Sequence, residues 1–173
     1  MVKEKLFKKE QEIILAGGCF WGVSEYFSRL KGVISVKCLY IDGNIKNPTY
    51  ADLKSGKASH AEAVLIKYNN LIDLKTILKN FLLIINPFSL NKQGNDIGIQ
   101  YRSGVYYQGS QEKELILTYF KDYFKEDFPK IQIQIKERND FYLAEEYHQD
   151  YLKKNKNGYC HIDFNIMPKE DKN

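Results

Sequence analysis

The chain predicts an α+β fold in one domain. Over its first hundred residues the apolar spacing switches between period 2 and period 3.6 in the order strand–helix–strand–strand–helix–strand. Its 173 residues are enough for one hydrophobic core. An apolar share of 43% with moderate charge is an ordinary globular balance.

In chain order, Glu12-Ile13-Ile14-Leu15-Ala16 reads as a buried first strand and Trp21 to Leu30 as a short helix. Val33 to Tyr40 is rich in β-branched residues and reads as a second strand. Asn47-Pro48-Thr49-Tyr50 is a turn leading into a helix, and Ala61 to Tyr68 a third strand closed by Asn69-Asn70. Leu74 to Ile85 has helix-spaced apolar residues and stops before Asn86-Pro87. Pro87 to Gly98 lacks an apolar period and reads as a long loop. Ser103 to Tyr107 is a fourth strand, Gln111 to Phe124 a helix, and Ile131 to Ile135 a half-exposed strand by its alternation. Phe141 to Asn155, rich in Glu and Lys, reads as a last helix ending at Asn157-Gly158. This order matches a split βαβ, ferredoxin-like core on a mixed or antiparallel sheet, with an extra strand and helices added C-terminally. The expected boundaries are a charged tail over 1–11, one domain over 12–165 and a second charged tail over 166–173.

The net charge of +4 comes from lysines interspersed with acids, the pattern of a solvated surface and not of a nucleic-acid patch. No apolar stretch follows the basic N-terminus and none is long enough to span a membrane, so a cytoplasmic location is expected; a monomer is expected as well. Cys19, Cys38 and Cys160 are odd in number and far apart, which argues against a secreted disulfide framework. His60, His148, His161 and Cys160 have no zinc-ligand spacing, so neither metal nor cofactor is expected.

Gly17-Gly18-Cys19-Phe20-Trp21-Gly22 is the sharpest local feature. A strand runs into paired glycines, which permit a tight turn, and then into a cysteine where a helix should start. Unpaired N–H groups at a helix start favour a thiolate, and Phe20 and Trp21 would form an apolar wall beside it. The alternative is a tight turn around a buried thiol and two core aromatics.

Gly18-Cys19-Phe20-Trp21-Gly22 resembles the active-site signature of the A-type peptide methionine sulfoxide reductases. Further segments are similar to the same family in the same order: Asn47 to Tyr50, Ser59 to Ala63, Gln93 to Asp96 through Gln100 to Ser103, Ala144 to Gln149, and Gly158-Tyr159-Cys160. Together they span about residues 12 to 165. The resemblance implies a thioredoxin-dependent reductase that returns methionine-S-sulfoxide, free or in proteins, to methionine. A sulfoxide sulfur is a sluggish electrophile until its oxygen is protonated, so the reaction needs a thiolate, an acid, further donors and an apolar seat for the methyl group.

By resemblance Cys19 is the nucleophile, Glu62 the acid, and Tyr50 and Tyr101 the hydroxyl donors. Phe20 and Trp21 seat the methyl group, and Asp96 hydrogen-bonds around the site. Cys160 is implied to be the resolving thiol that closes a disulfide with Cys19 for thioredoxin to reduce. Read without the family, Glu62 would be an exposed carboxylate at a strand edge and the two tyrosines ordinary core residues. Cys38, inside an apolar strand, reads as a buried inert thiol.

The chain departs from the family pattern at Ile85-Asn86-Pro87, where relatives often carry His-Asp-Pro. It lacks the usual Tyr-x-Gly-Gly turn at Tyr40 to Gly43, and Ala58-Ser59 replaces a common Thr-Gly. Two other readings stay open on residues alone: a cysteine hydrolase pairing Cys19 with a histidine, and a ferredoxin-like module binding a small ligand without catalysis.

Overall fold

The computed structural model describes residues 10–173; most of the expected N-terminal tail, residues 1–9, lies outside the described residues. The elements are β1 (Gln11–Gly17), α1 (Phe20–Ser28), β2 (Val33–Ile41), α2 (Tyr50–Ser55), β3 (Ala61–Tyr68) and α3 (Leu74–Ile84). They continue with β4 (Lys92–Gln93), β5 (Asp96–Ile97), β6 (Ser103–Tyr107), α4 (Gly109–Phe124), β7 (Gln134–Glu137), β8 (Phe141–Leu143) and α5 (Tyr151–Lys154). Six strands form one sheet in the order β7-β6-β1-β3-β2-β8. Every neighbouring pair is antiparallel except β6 and β7, so the sheet is mixed and the fold α+β.

Period 2 divides the strand side chains between two faces. Ile13, Leu15, Cys38, Tyr40, Val64 and Ile66 join the core with the apolar stripes of α1, α3 and α4. Ile14, Ala16, Leu39, Ile41, Ala63 and Leu65 form a separate buried cluster on the other face. In β3 this register puts Glu62 on the helix side, two residues before Val64, and the sheet pairs it with Tyr40 of β2. The short α2 is held by a reciprocal cap: Thr49 Oγ1 accepts from Asp52 N (3.1 Å) while the Asp52 carboxylate accepts from Thr49 N (2.9 Å).

Three expectations fail. Phe141 to Asn155 is not one helix: Phe141–Leu143 is β8, on the edge of β2, followed by a 3₁₀ turn over Glu146–His148 and the one-turn α5. Gln149 explains part of the change, because its side chain bonds both Cys38 N (2.8 Å) and Cys38 O (2.9 Å) and so ties the segment to β2. The C-terminal residues 166–173 are not a loose charged tail. Met167 is buried, Asp171 pairs with Lys79 Nζ (2.9 Å) and Asn80 Nδ2 (3.1 Å), and Lys172 bridges to Leu30. The alternating run Ile131 to Ile135 pairs only from Gln134 onward, as the parallel strand β7.

The stretch read as a long loop contains a small hairpin, β4 and β5, turning on Gly94 and Asn95. Gly94 has φ +59°, the left-handed region that such two-residue turns demand.

Candidate active site

β1 ends at Gly17 and α1 starts at Phe20, leaving Gly18 and Cys19 to make the turn. Gly18 has φ +87°, and a methyl group there would lie 2.7 Å from Gln93 Cβ and 3.0 Å from His161 Cε1. Only glycine satisfies both demands. Cys19 is the N-cap of α1 and is 8% exposed. Burial pushes its thiol well above the ordinary range and the neighbouring Glu62 adds to this, while the Trp21 backbone N–H lowers it. The helix start thus favours the thiolate as the sequence suggests, but desolvation outweighs it and the resting sulfur is a thiol.

Glu62 is 2% exposed, not the edge carboxylate that local reading favours. Its Oε1 accepts the Phe20 backbone N–H at 3.2 Å, so the acid is fixed against the residue after Cys19. Burial raises its pKa to about 8, with the Phe20 N–H opposing and Asp96 reinforcing. A carboxyl in this setting keeps its proton at neutral pH and is able to donate it.

Tyr50, at the start of α2, is raised to about 12 by burial, then by Glu62 and Cys19. Tyr101, which ends a 3₁₀ turn over Ile99–Tyr101, is raised further by burial, Glu62 and Tyr50. Both phenols therefore remain hydroxyl donors. Asp96 in β5 is raised by burial, and its Oδ2 is buried with no hydrogen-bond partner among the described residues. Cys19, Glu62, Tyr50, Tyr101 and Asp96 lie close enough to shift one another's ionisation.

The aromatic wall is held from the C-terminal side. Trp21 Nε1 donates to His148 Nδ1 at 3.0 Å, and the indole stacks on Tyr151 at 3.7 Å with the planes 10° apart. Phe20 packs between Tyr40 and His148. Cys160 carries a free thiol, as do Cys19 and Cys38. A methyl group at Gly22 would lie 2.5 Å from Cys160 Sγ, so that glycine is the notch in which the sulfur rests. A cleft of about 460 Å³ opens onto Cys160 between Arg29, Lys153 and Phe164. Cys38 is fully buried, its thiol pushed up to about 12 by desolvation.

The geometry thus gathers a buried thiol, a protonated carboxyl, two phenols and an aromatic wall, with a second thiol one helical turn along. Residues 11–173 match the family model for peptide methionine sulfoxide reductase.

This chain belongs to the peptide methionine sulfoxide reductase family.

It is an enzyme of that family. The peptide methionine sulfoxide reductase MsrA of Clostridium perfringens (strain 13 / Type A) is 51% identical over 153 residues, covering 88% of this chain and 98% of the relative. That of Clostridium tetani (strain Massachusetts / E88) is 51% identical over 154 residues, covering 88% and 93%. Among solved structures, Mxr1 from Saccharomyces cerevisiae in reduced form aligns with TM-score 0.79 at 32% identity, over 88% of this chain and 89% of that one. Methionine sulfoxide reductase A of Corynebacterium diphtheriae aligns with TM-score 0.80 at 28% identity, over 88% and 78%.

Several residues of this reductase escape a reading by motif. Glu145 accepts from Tyr40 Oη (2.8 Å), Tyr50 N (3.0 Å) and Tyr147 Oη (3.1 Å), and so anchors the start of α2 beside the site. Gln93 bridges Asn86 N, Asn86 O and Ser103 Oγ, which fixes the loop departing from the family pattern at Ile85-Asn86-Pro87. His148 and His161 reach the site from the C-terminal segment, whereas His60, just before β3, packs against Gly43 and Tyr142. Glu145, Gln93, His148 and His60 lie inside family-like segments of the sequence, and His161 directly follows one, but nothing local distinguishes them. A wider cleft, about 660 Å³ between Lys75 and the outer face of α4, contains none of the site residues.

Proposed function

We propose that this reductase reduces the S epimer of methionine sulfoxide, free and in proteins, through a sulfenic acid on Cys19, and so repairs oxidised proteins. The single observation that carries the reading is the Cys19–Glu62 pairing: a nearly desolvated thiol beside a carboxyl whose Oε1 is held at 3.2 Å by the N–H of the next residue. Glu62 donates a proton to the sulfoxide oxygen, with the Tyr50 and Tyr101 hydroxyls and Asp96 completing the hydrogen bonds around it. Cys19 attacks the sulfur as its S–H proton replaces the one Glu62 gave. The oxygen ends on Cys19 as S–OH, methionine leaves, and a pair of electrons passes from the cysteine sulfur to the sulfoxide sulfur. Phe20 and Trp21 seat the S-methyl group.

Cys160 then displaces the hydroxyl to form the Cys19–Cys160 disulfide, releasing water. A thioredoxin returns both thiols by exchange. The half-exposed position of Cys160 at a cleft supports such access, and Mxr1 has itself been solved in complex with Trx2. The strand order β6-β1-β3-β2, all antiparallel, supports assigning β1, α1, β2, β3, α3 and β6 to the ferredoxin-like class.

The test is dithiothreitol-driven reduction of the two resolved epimers by wild-type protein and Cys19→Ser. Reduction of the S epimer by wild type alone is expected. Activity in clean Cys19→Ser, or preference for the R epimer, would contradict the reading.

A further inference from the structure

His161 follows Cys160 directly, and the two side chains straddle the nucleophile's turn. The sulfur of Cys160 rests against Gly22, while the imidazole of His161 lies against Gly18, with Cys19 between them in the chain. A methyl group at Gly94 would lie 2.8 Å from His161 Cβ, so the β4–β5 turn closes over the same imidazole. Among the described residues neither ring nitrogen of His161 finds a well-formed hydrogen bond, the Gly17 backbone being its polar neighbour, and the buried Oδ2 of Asp96, whose charge acts on the ring, has no partner either. Buried polar atoms without a full partner are costly, so their gathering at the Cys19 turn asks for a role.

We infer that His161, set over the Cys19 turn and facing Asp96, relays the proton that disulfide formation moves from the Cys160 thiol to the departing hydroxyl of the Cys19 sulfenic acid. The inference rests on the reading of Cys160 as the resolving thiol. The step balances. The S–H bond of Cys160 and the S–O bond of Cys19 break, the S–S bond forms, and the proton taken by the imidazole leaves with the hydroxyl as water. The Cys19 sulfur is reduced and the Cys160 sulfur oxidised, with no outside oxidant.

Such a relay needs a neutral imidazole at rest and a thiol that does not ionise unaided. Burial lowers His161 below its ordinary 6.5, with Asp96 and the Gly17 backbone opposing. Burial likewise raises the Cys160 thiol, against the Ile162 N–H and Arg29 and together with Asp96 and Glu25. Asp96, Arg29 and Glu25 act on the pair, and Lys153 and Lys156 line the cleft that opens onto Cys160.

The experiment mixes reduced enzyme with one equivalent of methionine S-sulfoxide, without thioredoxin, and follows methionine release and thiol loss separately from about pH 5 to 8. In wild type the rate of thiol loss should climb with pH, inflect below 6.5 and level off. In His161→Asn thiol loss should slow by about 10²-fold near neutrality, far more than methionine release, and follow the thiolate fraction with no inflection. A histidine that only packs would lower the rate without changing the profile's shape. The relay is overturned if His161→Asn keeps the inflection, or keeps thiol loss within about twofold of wild type. Should that variant not fold, the wild-type profile decides: a steady rise with no inflection overturns the relay. Absence of the methionine burst would overturn the Cys19 reading and the relay with it. A burst followed by histidine-independent thiol loss would overturn the relay alone.

Discussion

Glu62→Gln keeps the shape of the side chain and an oxygen to accept the Phe20 N–H, but it removes the transferable proton. The reductive step should slow on the order of 10²-fold or more. Stability should respond in the opposite sense. At about 1.4 kcal/mol per pH unit, carrying the carboxyl from its ordinary 4.5 to about 8 disfavours the folded, charged form by roughly 5 kcal/mol. Between these two values the folded chain keeps a proton that the unfolded chain has released, so wild-type stability falls as pH rises. The glutamine cannot titrate and should escape this loss. Urea unfolding of both proteins at about pH 5 and pH 8 measures the difference. Wild type should lose several kcal/mol relative to the variant on going up. Parallel curves at both pH values, or a variant reducing sulfoxide within about a factor of two of wild type, would refute the account of Glu62 as a buried, protonated acid.

Cys160→Ser should reduce about one equivalent of sulfoxide per enzyme and then stop, failing to turn over with thioredoxin while dithiothreitol still sustains it. Cys38→Ser should turn over with thioredoxin, at a cost of roughly 1–3 kcal/mol in urea unfolding from a hydroxyl in a fully buried site. Gly22→Ala should slow disulfide formation more than methionine release, because its methyl group would lie 2.5 Å from Cys160 Sγ. Equal effects on the two steps would show that the notch does not position the resolving sulfur.

The parts of the fold that local pattern specifies were legible. β1, β3, α3 and β6 fall where periodicity puts them, because each buries an apolar face of the expected period. What pattern missed depends on partners distant in sequence. β8 is three residues long and exists because Leu39–Ile41 offers an edge, which no count of Glu and Lys reveals. The charged C-terminus is ordered because Asp171 meets Lys79 and Asn80, some ninety residues away. In the site, the paired glycines and Cys19 were visible as a strand-to-helix turn. The burial of Glu62 was not, since it comes from α1 and the 3₁₀ turn over Ile99–Tyr101 packing against β3. The sequence offers His161 as a metal ligand or as one of the histidines that a hydrolase could pair with Cys19, and its position against Gly18 is a tertiary fact.

The central claim is that Cys19 takes the sulfoxide oxygen. Cys160→Ser, mixed with one equivalent of methionine S-sulfoxide and quenched with a sulfenic-acid trap, should carry the label on Cys19 in proportion to the methionine released, as read by peptide mass mapping. Methionine formed with the label on Cys38, or with no labelled cysteine, would contradict it.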